Sequence, residues 1–275
     1  MQKMGNVTQD RESGILPYVR QASDVRLEID AGVAVVTIDR PEARNAIGFA
    51  TVDALGAAVD EVADSGAAVM VLRGGGDRAF VSGGDIKELG SIRTHEAAVA
   101  MARRVRTLLD RVAAFPVPVI AALNGHTLGG GAEVAVAADI RIAADDIRIG
   151  FNQVTLGIMP AWGGAERLAQ LVGRSRALLA IATGELYDAA SAQSLGLVDL
   201  VVPRASFDDE WRALALRLAA SAPGTTRAVK GVVGAAVPSF HPELEADATD
   251  AFARLWTGDA HWAAVEDLDA KRRTG

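Results

Sequence analysis

The run Ala121-Ala122-Leu123-Asn124-Gly125-His126-Thr127-Leu128-Gly129-Gly130-Gly131-Ala132-Glu133 constrains the chain more than any other stretch. Apolar residues over 117–123 predict a short buried strand, which Asn124-Gly125 break. Three glycines follow, then an alanine-rich run to Ala138 that reads as a buried helix. Glycine costs about 0.8–1 kcal/mol against alanine inside a helix. Three of them at a helix start mark a backbone that something approaches closely. A helix N-terminus also presents unpaired N–H groups and the positive end of its dipole. Glu133 stands three residues after Gly130, about one turn on, so the two face roughly the same way. The stretch offers an N–H donor for an oxyanion with a carboxylate beside it. On these residues alone it fits equally a helix packed tightly on a strand, with Glu133 in an ion pair.

The first half of the chain alternates strands and helices. Residues 25–29 and 33–38 are β-branched runs joined at Ala31-Gly32, consistent with a hairpin. Pro41 makes 40–45 a loop. Thr51 is expected to cap a helix running to about Ala63, with Val52, Leu55, Val59 and Val62 on one face. A strand at 69–73 and a turn at Gly74-Gly75-Gly76-Asp77 come next. Ala79-Phe80-Val81-Ser82-Gly83-Gly84-Asp85 then repeats the opening theme: an apolar end, a glycine pair and a short helix. Thr94 starts a long helix to about Ala114, ended by Pro116 and Pro118. Strands are expected at 139–143 and 147–151, a turn and helix within 160–172, and a helix from Asp188 that Gly196 ends. After a strand at 198–202 the chain reads as helices at 207–220, 225–233, 241–257 and 259–271. Such a tail cannot continue a sheet, so it must pack on the core or on another subunit. The expected organisation is a leader over 1–22, a core over 23–203 and a helical region over 204–275.

Composition narrows the function. With 275 residues, half of them hydrophobic, the chain can bury a sizeable core without staples. The lack of cysteine excludes disulfides, thiolate metal sites and a cysteine nucleophile. A net charge of −7 argues against a general nucleic-acid surface. No apolar run approaches a membrane span, and residues 1–21 lack the apolar centre of a signal peptide. A cytoplasmic protein is the expectation. His95, His126, His241 and His261 show no metal-ligand spacing, and no metal is predicted.

Four segments in order resemble the crotonase superfamily, also called the enoyl-CoA hydratase/isomerase family. They are Asp39-Arg40-Pro41-Glu42-Ala43-Arg44-Asn45-Ala46, Ala79-Phe80-Val81-Ser82-Gly83-Gly84-Asp85-Ile86-Lys87, Asn124-Gly125 through Glu133, and Leu156-Gly157-Ile158-Met159-Pro160-Ala161-Trp162-Gly163-Gly164. Their order and spacing match over about residues 24–270. The resemblance implies an α/β fold, a crotonase-like spiral of ββα repeats followed by a C-terminal helical trimerisation region. It implies a homotrimer or a dimer of trimers, an acyl-CoA thioester as partner, and no cofactor beyond the coenzyme A of the substrate.

The resemblance also assigns roles. Two backbone N–H groups, matched by position to Gly84 and Gly130, hold a thioester enolate oxygen. Preorganised donors of this kind are worth about 3–4 kcal/mol each in a transition state. CoA is expected along Arg40, Ala43 and Arg44 and along Ser82, Gly83, Asp85, Ile86 and Lys87, with Arg40 and Lys87 as phosphate partners. His126 and Trp162 either line the pocket or serve packing alone. Hydratases of the family use two carboxylates; one matches Glu133 and the second falls on Gln153. An amide cannot titrate, although it can orient a water or hold a substrate carboxylate. The expected activity is enoyl-CoA hydratase/isomerase-like lyase or isomerase chemistry with Glu133 as acid/base. The alternatives are a decarboxylase of a malonyl-type CoA ester and a CoA-thioester-binding protein with little catalysis. Ser82 lacks a Gly-x-Ser-x-Gly setting, which sets peptidase chemistry aside.

Overall fold

A computed structural model describes residues 17–22, 24–222, 224–236 and 242–274. The chain opens with three antiparallel strands, β1 (Tyr18–Ala22), β2 (Val25–Asp30) and β3 (Val33–Ile38). Ala31 and Gly32, at φ 47° and 78°, form the tight turn between β2 and β3. β1 corrects the leader reading at its end: residues 18–22 pair with β2 as an edge strand. Residues 1–16 lie outside the described residues.

Helix α1 (Phe49–Asp64) begins two residues before Thr51. Thr51 does not cap it; its buried hydroxyl donates to Asp24 at 2.7 Å. Val52, Leu55, Val59 and Val62 are buried along one face, as their 3–4 spacing predicts.

Three turns of a spiral follow, each supplying one strand to a large sheet, one to a small sheet, and then helix. The first is β4 (Val69–Gly74), β5 (Ala79–Val81), α2 (Ile86–Leu89) and α3 (His95–Ala113). The second is β6 (Val119–Leu123), β7 (His126–Leu128) and α4 (Gly130–Ala137). The third is β8 (Ile140–Ala144), β9 (Arg148–Gly150), a 3₁₀ turn at Asn152–Leu156, α5 (Gly164–Val172) and α6 (Arg174–Thr183). Strand β10 (Tyr187–Asp188), α7 (Ala189–Leu195) and β11 (Leu200–Val202) complete the spiral. The large sheet runs β1-β2-β3-β4-β6-β8-β11, parallel from β3 onward, and the small sheet runs β10-β9-β7-β5. Strand β6 is buried throughout, the burial a parallel strand covered on both faces requires. Every residue of α4 is buried, so this helix has no solvent face and Glu133 is its one charge. Helix α6 is absent from the sequence reading.

The tail forms α8 (Phe207–Ala219), α9 (Thr225–Ala235), α10 (Pro242–Trp256) and α11 (Asp259–Thr274). Phe252 and Trp256 bury against the chain's own core, and the Trp256 indole donates to the Ile92 carbonyl at 3.1 Å. Leu244 and Leu255 stay exposed, as do Val229, Val232 and Val233 on α9. Phe240 and His241 lie outside the described residues. Among the described residues no helix is long and apolar enough to cross a membrane.

Candidate active site

Two glycine turns leave the small sheet at neighbouring points, because β5 and β7 lie parallel and end side by side. Gly83-Gly84 follows β5 and Gly129-Gly130 follows β7. Gly83 and Gly129 take φ values of 110° and 56°, which side chains rarely adopt. A methyl group built on Gly83 would lie 3.5 Å from the Gly130 nitrogen. One on Gly130 would lie 2.2 Å from a ring carbon of Trp162, and one on Gly131 would lie 1.9 Å from the Val81 carbonyl oxygen. The glycines permit this approach of backbone to ring and of helix to strand. Among the described residues, neither the Gly84 nor the Gly130 N–H donates to another backbone or side-chain acceptor.

Glu133 lies one turn into α4 and is 2 % exposed. Its Oε2 accepts the backbone N–H groups of Trp162 at 2.7 Å and Gly164 at 3.0 Å. Its Oε1 accepts from the Gln153 side-chain amide at 3.0 Å. The sequence-assigned pair therefore meets, joined by one hydrogen bond. Burial pushes the Glu133 carboxyl up, and the nearby Glu166 charge adds to this. The N–H groups of Gly164, Trp162 and Ala161 oppose both, and the balance lies at about 7. Gln153 Oε1 is buried without a hydrogen-bond partner in the structure.

The loop holding Glu133 is itself held from behind. The Arg167 guanidinium donates to the Trp162 carbonyl at 2.9 Å and pairs with Asp110. Arg106 pairs with Glu166 at 2.7 Å. A methyl group on Gly163 would lie 2.5 Å from Arg167 Nη1, and Gly163 adopts φ 86°. The sequence reading missed Arg167, Glu166 and the Trp162 and Gly164 amides. The Gly163-Gly164 pair marks the close approach, but it cannot name the carboxylate that the amides face.

The remaining assigned residues divide into two groups. Arg40 serves as a brace: its guanidinium reaches the Ala46 carbonyl at 2.6 Å, Asp85 at 3.0 Å and Asp24 at 3.4 Å. Asp85 caps α2 at the Lys87 N–H, and Ile86 begins that helix. Ala43 sits in the same loop, and Lys87 is exposed. Arg44, Ser82, His126 and Leu128, with Arg78 and Arg204, line a cavity of about 360 Å³. His126 Nδ1 accepts the Arg148 N–H at 3.1 Å, so a neutral ring carries its proton on Nε2. Trp162 is 6 % exposed, with its ring beside both glycine turns.

A buried carboxyl on a helix start thus lies near two glycine turns at the ends of parallel strands. Residues 28–257 match the family model described as enoyl-CoA hydratase/isomerase, and the chain belongs to that family, within the crotonase superfamily. A probable enoyl-CoA hydratase of Bacillus subtilis (strain 168) is 38% identical over 203 residues, 73% of this chain and 78% of the relative. The short-chain-enoyl-CoA hydratase of Clostridium acetobutylicum is 32% identical over 254 residues, 92% of this chain and 97% of the relative. A crystal structure of an enoyl-CoA hydratase/carnithine racemase from Magnetospirillum magneticum superposes with a TM-score of 0.76 at 30% identity, covering 91% of this chain and 94% of that one. The expected α/β crotonase fold with its C-terminal helices is the fold observed.

Proposed function

We propose that the chain is an enzyme acting on an acyl-CoA thioester through an enolate, with Glu133 as its single proton carrier. The observation that carries this reading is the Glu133 carboxyl, buried, held by three N–H donors and poised at about 7. A group with that pKa is abundant in both protonation states near neutrality, which general acid–base catalysis requires. The thioester oxygen would lie between the Gly84 and Gly130 N–H groups, where fixed dipoles favour an oxyanion without reorganising. Their neighbouring turns and uncommitted amides support this placement.

In isomerisation, ionised Glu133 takes a proton from one carbon of the acyl chain and returns it to another, so no second carboxyl is needed. In hydration, the same carboxylate takes a proton from water as the oxygen bonds to the β-carbon, then delivers it to the α-carbon. The unpartnered Gln153 Oε1 supports a water position there, since buried acceptors seek a donor. A second reading, decarboxylation of a malonyl-type CoA ester, draws on protonated Glu133 to quench the enolate. Arg44 and Arg78 on the cavity, with exposed Lys87, supply cations for the CoA phosphates.

Incubation with a panel of CoA esters, with products read by mass, tests the assignment. Gain of water marks hydration, loss of carbon dioxide marks decarboxylation, and a moved double bond is followed by absorbance. No change in any ester would leave a binding protein and sink the enzymatic reading.

A further inference from the structure

We propose that Arg167 is a positioning residue, which fixes the segment from Trp162 to Gly164 so that its two outer N–H groups stay on Glu133. The inference rests on the proton-carrying role of Glu133 proposed above and adds the group that prepares that carboxyl. Arg167 binds both peptide carbonyls that lie between the two N–H groups. Its side chain donates to the Trp162 carbonyl at 2.9 Å, and its own backbone N–H donates to the Gly163 carbonyl at 3.2 Å. The Trp162 and Gly164 N–H groups reach one oxygen, Glu133 Oε2, at 2.7 and 3.0 Å. Arg167 thus holds the segment by its carbonyls, and the segment holds Glu133 by its N–H groups. Gly163 leaves room for this: a methyl group there would lie 2.5 Å from Arg167 Nη1 and 3.0 Å from Cζ.

The guanidinium is itself fixed. Arg167 is 7 % exposed, and its Nη2 pairs with Asp110 of α3 while Nη1 serves the carbonyl. A planar guanidinium supplies both donors from one rigid fork, whereas an ammonium is a point charge. Among the described residues, Glu166 and Arg167, both on α5, are the charged groups that interact with Glu133. Behind them Arg106 of α3 pairs with Glu166 at 2.7 Å, and its Nε lies 3.8 Å from Asp110 and 3.9 Å from Glu245 of α10. Gln153, on the 3₁₀ turn, brings an uncharged amide. Burial and the Glu166 charge favour the protonated carboxyl, and the N–H groups of the segment favour the ionised one. Loosening the segment therefore moves Glu133 towards its protonated form.

The test follows the Glu133 carboxyl by carbon-13 NMR in the full chain labelled at glutamate, its signal assigned by its loss in Glu133→Gln. In parallel, kcat and KM for a CoA ester that the wild type converts are read across pH. Arg167→Met keeps the stem and removes the donors and the charge. It should raise the Glu133 midpoint by about one unit from its value of about 7. It should also lower kcat by about 10–100-fold with KM nearly unchanged. Arg167→Lys keeps the charge without the fork, and should move midpoint and rate in the same direction by a smaller amount. A midpoint within about 0.3 units of wild type in folded Arg167→Met overturns the proposal, since Arg167 then only braces the fold. A lysine variant that matches the wild type overturns it too, because charge alone would account for the effect. Arg167→Lys decides the matter if Arg167→Met does not fold. A moved midpoint with no CoA ester converted by the wild type overturns the acyl-CoA reading alone and leaves the positioning role standing.

Discussion

Glu133→Gln should remove a pH dependence of folding that can be measured without any substrate. In the folded chain the Glu133 carboxyl titrates at about 7, against 4.5 for the free group. The folded pKa is raised, so between those values the folded state holds a proton that the unfolded state has released. The associated stability is present at low pH and is lost as pH rises through about 7. Each pKa unit corresponds to about 1.4 kcal/mol, so the whole shift is worth about 3 kcal/mol. From about pH 5 to about pH 8.5 the wild type should lose about 2.5 kcal/mol through this one group. Glutamine carries no such proton, and its altered hydrogen bonds add only a constant offset. Urea unfolding of both proteins at equal concentration across that range gives the difference curve, from which other titrations cancel. Parallel curves, within about 0.5 kcal/mol at all pH values, would mean that Glu133 is ionised throughout and that burial does not set its pKa.

The same substitution should lower turnover by about 10²–10⁴ while CoA-ester binding stays nearly unchanged. In the wild type, isomerisation begun by the carboxylate should rise with pH through about 7, whereas quenching of an enolate by the acid form should fall through it. Gln153→Glu places a second carboxyl at the 3.0 Å contact with Glu133, and should raise hydration of a short enoyl-CoA and add a second titration to the rate profile. Wild-type hydration at about 10² per second or faster would show instead that the amide is no handicap. Gly131→Ala drives a methyl group to 1.9 Å from backbone and should cost at least about 2 kcal/mol in urea, whereas Gly231→Ala, on α9 with open space beside it, should be neutral or stabilising. Exposed Leu178, Leu179, Val232, Leu244 and Leu255 are expected to bury against further copies of the chain; we propose a trimer or dimer of trimers, and a monomer in sedimentation at micromolar concentration would contradict it.

Local signals reveal much of this fold because the spiral reuses one strand–glycine–helix device. Asp85, Thr94 and Asp188 cap the helices their positions predict, and Gly196 ends α7. Thr51 misleads because a threonine before a periodic run looks like a cap; here a tertiary partner, Asp24, takes its hydroxyl. Helix α6 escapes notice because it starts at Gly173-Arg174 without a polar cap, and two of its leucines, Leu178 and Leu179, face outward rather than keeping a core stripe. Arg40 carries the charge suited to a phosphate, and the sequence does not show that Asp24 and Asp85, from distant segments, also pair with it. The pairing of Glu133 with Gln153 was legible through a motif. The backbone amides of Trp162 and Gly164 that face that carboxyl were not, and neither was its raised pKa, since burial is a property of the folded chain.

Under the proposed function, the donors around Glu133 also bear on which of its oxygens carries the proton. Trp162 and Gly164 direct two backbone N–H groups at Oε2, which fills that oxygen's two lone-pair directions. Oε1 accepts the Gln153 amide, which leaves it more open to a proton than Oε2. An amide can donate to Oε1 but cannot exchange a proton with it. A carboxyl at the same distance would share that proton and couple the two titrations. Gln153 therefore keeps the carboxyl oriented and its proton unshared. That suits the proposed function, in which one group both removes and returns the proton.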